Sequence, residues 1–132
     1  MSGTRYTFQK KERLSSIRLI NFLFENGKAL FSHPYKIYYS PNDAGINRIL
    51  ISVPKRQHKK AVTRNLIRRR IRESYRLNRE IIDGMPGTDF ALVYISSEVL
   101  DYSQINIALQ NALAKLKKYS STDSIGTIHI AD

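Results

Sequence analysis

Cysteine is absent from the 132 residues, so disulfides and thiolate metal sites are excluded. Acids are scarce: eleven Asp and Glu stand against twenty-two Lys and Arg, a formal net charge of +11. No apolar run approaches the ~20 residues of a membrane span. The longest are short, such as Ile49-Leu50-Ile51 and Phe90 to Ile95. Met1 to Leu14 is polar and basic and lacks the apolar stretch of a secretory signal. A soluble, cytoplasmic protein with no membrane partner is the expectation. Glycine-rich phosphate loops and nucleophile elbows are missing too. His33, His58 and His129 share no metal-ligand spacing and read as surface or loop residues. His58 lies in a basic loop, where it is expected to add to the charge. Glu80 and Asp83 stand one turn apart at a helix end and read as solvated surface rather than a metal pair.

What is present is an ordinary globular balance, 42% apolar and 25% charged, in a length that suits one core. Residues 1–132 therefore read as a single domain, with 1–12 a flexible basic arm. Leu14 to Asn26 has helical periodicity through Ile17, Ile20, Leu23 and Phe24. Ser15 or Ser16 can cap its start, and Gly27 sits where a helix C-terminal glycine belongs. Lys28 to Phe31 is a candidate edge strand. Tyr35 to Ser40 and Asn47 to Val53 are strand candidates separated by the turn composition Pro41 to Gly45, so an antiparallel hairpin is expected. Lys59 to Asp83 is the longest helical pattern, ended by Gly84-Met85-Pro86-Gly87. Asp89 to Ile95 is a near-continuous apolar strand, expected at the centre of the sheet. Ser103 to Tyr119 is an amphipathic helix with Ile105, Leu109, Ala112, Leu113 and Leu116 on one face. The tail 120–132 begins polar, and its Thr127 to Ile130 suits either a short strand or disorder. The fold class is α+β, a small mixed sheet with helices packed on it in the order α-β-β-(β)-α-β-α.

Charge is concentrated. Lys55 to Arg79 holds eleven basic residues and one acid, Glu73. That segment carries +10, and the rest of the chain only +1. On a helix, Asn65, Arg68, Arg69, Arg72, Arg76 and Arg79 fall in a stripe roughly 100° wide, with Arg64 at its edge. Val62, Leu66, Ile67, Ile71, Tyr75 and Leu77 cover much of the remaining circumference. Arg70 falls among them and should reach out to water. A solvated face would alternate charge signs at i, i+4, and this one does not. Every basic residue from Arg64 to Arg79 is arginine, whose planar guanidinium suits phosphate and stacks on bases. A merely solvated face and a membrane surface are the weaker explanations, the latter because the apolar side of the helix is needed to cover the sheet. A helix flanked by strands, with an almost purely arginine face, favours RNA over DNA.

Ile49 to Arg76 reads ILISVPKRQHKKAVTRNLIRRRIRESYR. This resembles the signature of the bacterial ribonuclease P protein component. Lys55-Arg56, Ala61-Val62, Arg64-Asn65 and Arg68-Arg69 fill that signature's places, and Arg13-Leu14, Phe24 and Gly27 match the family's first helix and its end. The likeness covers roughly residues 13–118. Two positions depart from it: Leu66 stands where an arginine is usual, and Ile20 where a phenylalanine is usual.

The resemblance implies a ribosomal protein S5 domain 2-like fold with a left-handed β-α-β crossover, an exception to the usual right-handed rule. It implies a protein subunit of ribonuclease P that partners a catalytic RNA, one protein per RNA, and assists removal of the 5′ leader from precursor tRNA. The RNA carries the catalytic Mg²⁺, the protein binds no cofactor alone, and no residue of the protein is catalytic. Carried over by position, the catalytic-RNA face is Lys55, Arg56, Arg64, Asn65, Arg68, Arg69 and Arg72. The leader cleft would use Ile20, Phe24, Tyr35, Tyr38 and Ser52. On residues alone, Phe24 and Tyr38 read as ordinary core, and Tyr35, Tyr38 and Tyr39 cannot all face inward because strand side chains alternate. A structural RNA binder of ribosomal type and a DNA-binding regulator are the competing readings.

Overall fold

A computed structural model describes residues 10–125, with side chains to residue 120. Three helices and four strands follow in the order α1 (Ile17–Asn26), β1 (Lys28–Ser32), β2 (Tyr35–Pro41), β3 (Arg48–Ser52), α2 (Ala61–Asn78), β4 (Thr88–Tyr94) and α3 (Tyr102–Ile125). The α+β class holds. Residues 1–9 and 126–132 lie outside the described residues, and with them most of the basic arm, His129 and the Thr127 to Ile130 segment. Lys10–Glu12 forms a 3-10 turn, and α3 runs on past Tyr119 to Ile125.

Helix α1 begins where Ser16 accepts a hydrogen bond from the Leu19 N–H, which satisfies one of the orphan donors of its first turn. It ends at Gly27, but the reason differs from a left-handed cap. Gly27 is extended, with φ −74° and ψ 163°. A Cβ there would stand 2.5 Å from the Leu23 carbonyl oxygen and 2.9 Å from that of Tyr39. Close approach of two backbones, not positive φ, requires glycine at this position.

The sheet order is β1-β2-β4-β3. β1 and β2 are antiparallel, as are β2 and β4, while β3 and β4 are parallel. The expected hairpin between the second and third strands is therefore wrong: β4 lies between them. The cause is the composition of β4. Six of its seven residues are buried, as suits a strand covered on both faces and hydrogen-bonded along both edges. Residues 42–47 carry the chain past it. β1 is the edge strand, as expected, and β4 is central. β3, α2 and β4 form the β-α-β unit.

Each sheet face has its own core. Tyr35, Ile37 and Tyr39 of β2, with Phe90, Leu92 and Tyr94 of β4, face α2 and α3. Ile67, Ile71 and Tyr75 come down from α2, and Ile105, Leu109, Leu113 and Leu116 from α3. Burying side chains of this kind contributes about 1.5–3 kcal/mol each. The other face is only partly covered. There Leu14 and Leu23 meet Ala91, with Leu19, Ile20, Tyr38, Leu50 and Val93 at the margin.

Helix α2 is shorter than its periodicity suggests. It spans Ala61–Asn78 and passes into a 3-10 turn, Arg79–Ile82. Val62 and Leu77 do not join the core; they are 79% and 42% exposed. The buried stripe is Ile67, Ile71, Ser74 and Tyr75, and Ser74 donates its hydroxyl to Asn106 Oδ1 on α3 at 2.8 Å.

Candidate nucleic-acid interface

Two surfaces meet at the loop between β3 and α2. One is the basic side of that loop and helix; the other is the open sheet face beside α1.

Lys55 and Arg56 leave β3 exposed. The loop behind them is anchored by His58, whose Nε2 donates to the Ser96 carbonyl at 2.8 Å and whose ring lies 5.8 Å from that of Tyr94. His58 is buried, so the expectation that it adds surface charge is corrected: its place is under the loop. Helix α2 then presents Asn65, Arg69 and Arg72 to solvent, with Arg68 partly covered. Asn65 Oδ1 accepts from Arg68 Nη1 at 2.6 Å, which aligns the two.

The arginines divide by what they touch. Arg64 donates from Nη1 to the carbonyls of His58 and Lys59 at 3.0 and 2.8 Å. Arg70 Nη1 donates to the Leu100 carbonyl at 2.7 Å, so it binds α3's approach rather than reaching to water. Arg79 is held by Glu12, Nη1 to Oε2 2.6 Å. Arg76 pairs with Glu73, and that hydrogen bond holds the Glu73 carboxyl below its ordinary range. Arg69 and Arg72 make no ion pair among the described residues. Of the expected basic stripe, Arg79 and Arg76 are thus neutralised, and Arg64 is turned back onto the loop. What stays available lies between Lys55 and Arg72. Leu66 is partly buried, so its place in the signature costs the exposed face little.

On the open face, register fixes the neighbours. Tyr38 lies opposite Ala91, which lies opposite Leu50. The next row is Phe31, Lys36, Val93 and Ser52. Phe24 of α1 stands over this face, 39% exposed, and meets Tyr38 edge to face with centroids 4.8 Å apart. Lys36 Nζ sits 5.2 Å from the Tyr38 centroid. A shallow trough results, walled by α1 and floored by the sheet. Ile20, Phe24, Tyr38 and Ser52 come together around it.

Tyr35 does not. It faces the opposite core with no exposure, and its hydroxyl donates to the Ile105 carbonyl at 3.2 Å. Burial, then the nearby Tyr94, pushes its phenol well above the ordinary range. Strand alternation assigns Tyr35 and Tyr39 to one face and Tyr38 to the other, so Tyr35 leaves the cleft set. Two residues of the face were missed in the sequence, Phe31 and Lys36. Lys36 was findable, since it is two positions from Tyr38 on one strand.

Among the described residues, no three His, Cys, Asp or Glu side chains cluster to hold a metal ion. No helix among them is long and apolar enough to cross a membrane. Glu80 and Asp83 are exposed, as is His33.

Fold and surface together define a small basic α+β protein with an arginine-bearing helix beside an aromatic sheet trough. A family model, Ribonuclease P, matches residues 8–117. The chain is 40% identical over 118 residues to the ribonuclease P protein component of Petrotoga mobilis, covering 84% of this chain and 96% of that protein. It is 30% identical over 123 residues to that of Porphyromonas gingivalis, covering 87% and 90%. Among solved structures, the RNase P protein from Thermotoga maritima superposes with a TM-score of 0.68 at 26% identity, over 79% of this chain and 96% of the other. The Staphylococcus aureus RNase P protein shares the fold, with a TM-score of 0.69 at 22% identity over 80% and 95%. The chain belongs to the ribonuclease P protein family.

Proposed function

We propose that this protein is the subunit of a ribonuclease P ribonucleoprotein that binds the catalytic RNA through the loop and helix face, and the 5′ leader of precursor tRNA through the sheet trough. The observation that carries this reading is the contiguity of the two surfaces: Ser52 ends the trough, and Lys55 and Arg56 follow it directly into α2. Phosphates of the folded RNA meet Lys55, Arg56, Arg68, Arg69 and Arg72, with Asn65 orienting Arg68. Arg64 shapes that surface by holding the loop carbonyls. Single-stranded leader bases stack on Phe24 and Tyr38, a sequence-tolerant mode of contact, with Ile20 and Ser52 beside them.

In this reading the protein supplies charge neutralisation and alignment, and the RNA supplies the chemistry with its own Mg²⁺. The protein alone does not cleave. It works in the cytoplasm as one protein per RNA. A ribosomal-type binder has no use for an aromatic trough on a free sheet face, and a DNA regulator would read duplex sequence.

Reconstitution tests this. Purified protein is mixed with a bacterial ribonuclease P RNA, and 5′-leader removal from precursor tRNA is followed at low Mg²⁺. Cleavage that needs both components supports the subunit role. Tight RNA binding without stimulation would replace it with the structural-binder reading, and cleavage by the protein alone would move the chemistry into the chain.

A further inference from the structure

The open face of the sheet ends in an aromatic that the sites above do not include. Phe31 lies in the edge strand β1 and is 53% exposed. A large apolar ring on a sheet edge is a liability for a soluble protein, so its display there asks for a ligand. The strand beneath it is fixed. Leu30 points into the opposite core, and Lys115 Nζ donates to the Phe31 carbonyl at 2.6 Å. The ring is therefore held on a rigid element.

Its surroundings favour a polyanion. Phe31 is the register partner of Lys36, which also reaches over Tyr38, which in turn meets Phe24. Ring, cation, ring and ring thus succeed one another from sheet edge to helix wall. No acid stands in the row Phe31, Lys36, Val93, Ser52. The acid elsewhere on the sheet's open face, Asp89, is four residues from Val93 along β4 and is already held by Arg48 and Asn42. The row crosses three interstrand gaps, ~14 Å in all, and its far end adjoins Lys55 and Arg56. A single strand entering from the basic loop and crossing the sheet leaves it at Phe31.

We infer that Phe31 and Lys36 form an outer subsite for single-stranded RNA. It takes a leader base farther from the cleavage point than those held at Phe24 and Tyr38, with Lys36 on the adjoining phosphate. The inference rests on the leader reading above and extends it.

The test is a leader-length series. Precursor tRNAs with progressively longer 5′ leaders are bound at equilibrium to holoenzyme reconstituted with wild-type protein, Phe31→Ala, Phe31→Tyr or Phe24→Ala. Wild-type affinity should rise with length in steps. Phe31→Ala should match wild type on short leaders and lose only the last step, about fivefold or more. Phe31→Tyr should restore it. Because Phe31 is exposed, Phe31→Ala should melt with the wild type, so the loss reads as contact rather than folding. If Phe24→Ala flattens the series while Phe31→Ala leaves it intact, the outer subsite is overturned and the leader reading stands. If length changes nothing even for wild type, both fall. If Phe31→Ala alters only self-association of the free protein, the ring is a protein contact and the subsite is overturned.

Discussion

Arg64, in the first turn of α2, holds the carbonyls of His58 and Lys59 with a single guanidinium nitrogen. The helix N-terminus and the loop that feeds it are thereby one rigid piece, with His58 pinned to Ser96 beneath. Arg64 is half-buried and Arg69 and Arg72 are exposed, so the two kinds of arginine should separate experimentally. Arg64→Ala should lower stability by about 1 kcal/mol, the loss of hydrogen bonds from a charged donor discounted for solvent, and weaken RNA binding as well. Arg69→Ala with Arg72→Ala should weaken RNA binding with an unchanged melting temperature. Thermal melts run beside filter binding check this, and equal destabilisation of the two variants would refute the division.

Salt should act steeply on RNA binding. If about six phosphates are contacted, log affinity falls with a slope near −5 against log salt, between duplex and single-strand limits. Removing Arg69 should make the slope shallower by about one. A nearly flat slope for the wild type would rule out an electrostatic interface.

Phe24 bears on substrate, not on the catalytic RNA. Phe24→Ala should weaken binding of leader-bearing precursor by about 1–3 kcal/mol and leave mature tRNA nearly unaffected. Titrations of the reconstituted enzyme with both ligands decide it; equal loss for the two would remove Phe24 from the leader trough.

Two tyrosines tie the fold to alkaline pH. Burial raises the phenol pKa of Tyr35, helped by Tyr94, and that of Tyr75, helped by Glu12 and Asp83 against Arg79. Their folded pKa values exceed the unfolded ones. The stability they contribute is fully present below the unfolded pKa of about 10 and is lost as pH rises through the folded values. Urea unfolding should therefore show stability falling from about pH 10 upward. Tyr35→Phe should make that decline shallower, and an unchanged slope would remove Tyr35 as a contributor.

Much of this was legible in the residues, and the failures have physical causes. The run Asp89 to Ile95 announced a central strand because only two-sided burial needs so little alternation. The same run should have warned against a β2–β3 hairpin, since a central strand must take a place between others. The turn-like Pro41 to Gly45 outweighed it, as local composition cannot say which strand a turn leads to. The wheel of α2 located its arginine face, but not which arginines would be neutralised. Glu12 reaches Arg79 across 67 positions of sequence, and no helical periodicity contains that. Val62 and Leu77 share the apolar side of the wheel yet stay exposed, because α2 buries a narrow stripe and these two lie at the helix ends. Tyr38 and Tyr35 are three apart on one strand, so alternation separates them; the inward one was fixed only when Ile105 closed over it. Phe31 was hidden in the weakest strand signal of the chain.

The position of β4 has a consequence for how the molecule is made. β2 and β3 never bond to each other; both bond to a strand that begins at Thr88. Until the ribosome has released that stretch, the sheet has a missing middle, and β3 is met on its other edge by the Arg13 bridge and the Leu14 amide. The arginine helix is synthesised before its supporting sheet exists. A nascent chain ending short of β4 therefore carries the charge for RNA without the floor that aligns it, and the trough and the helix face come into being together, once β4 has emerged.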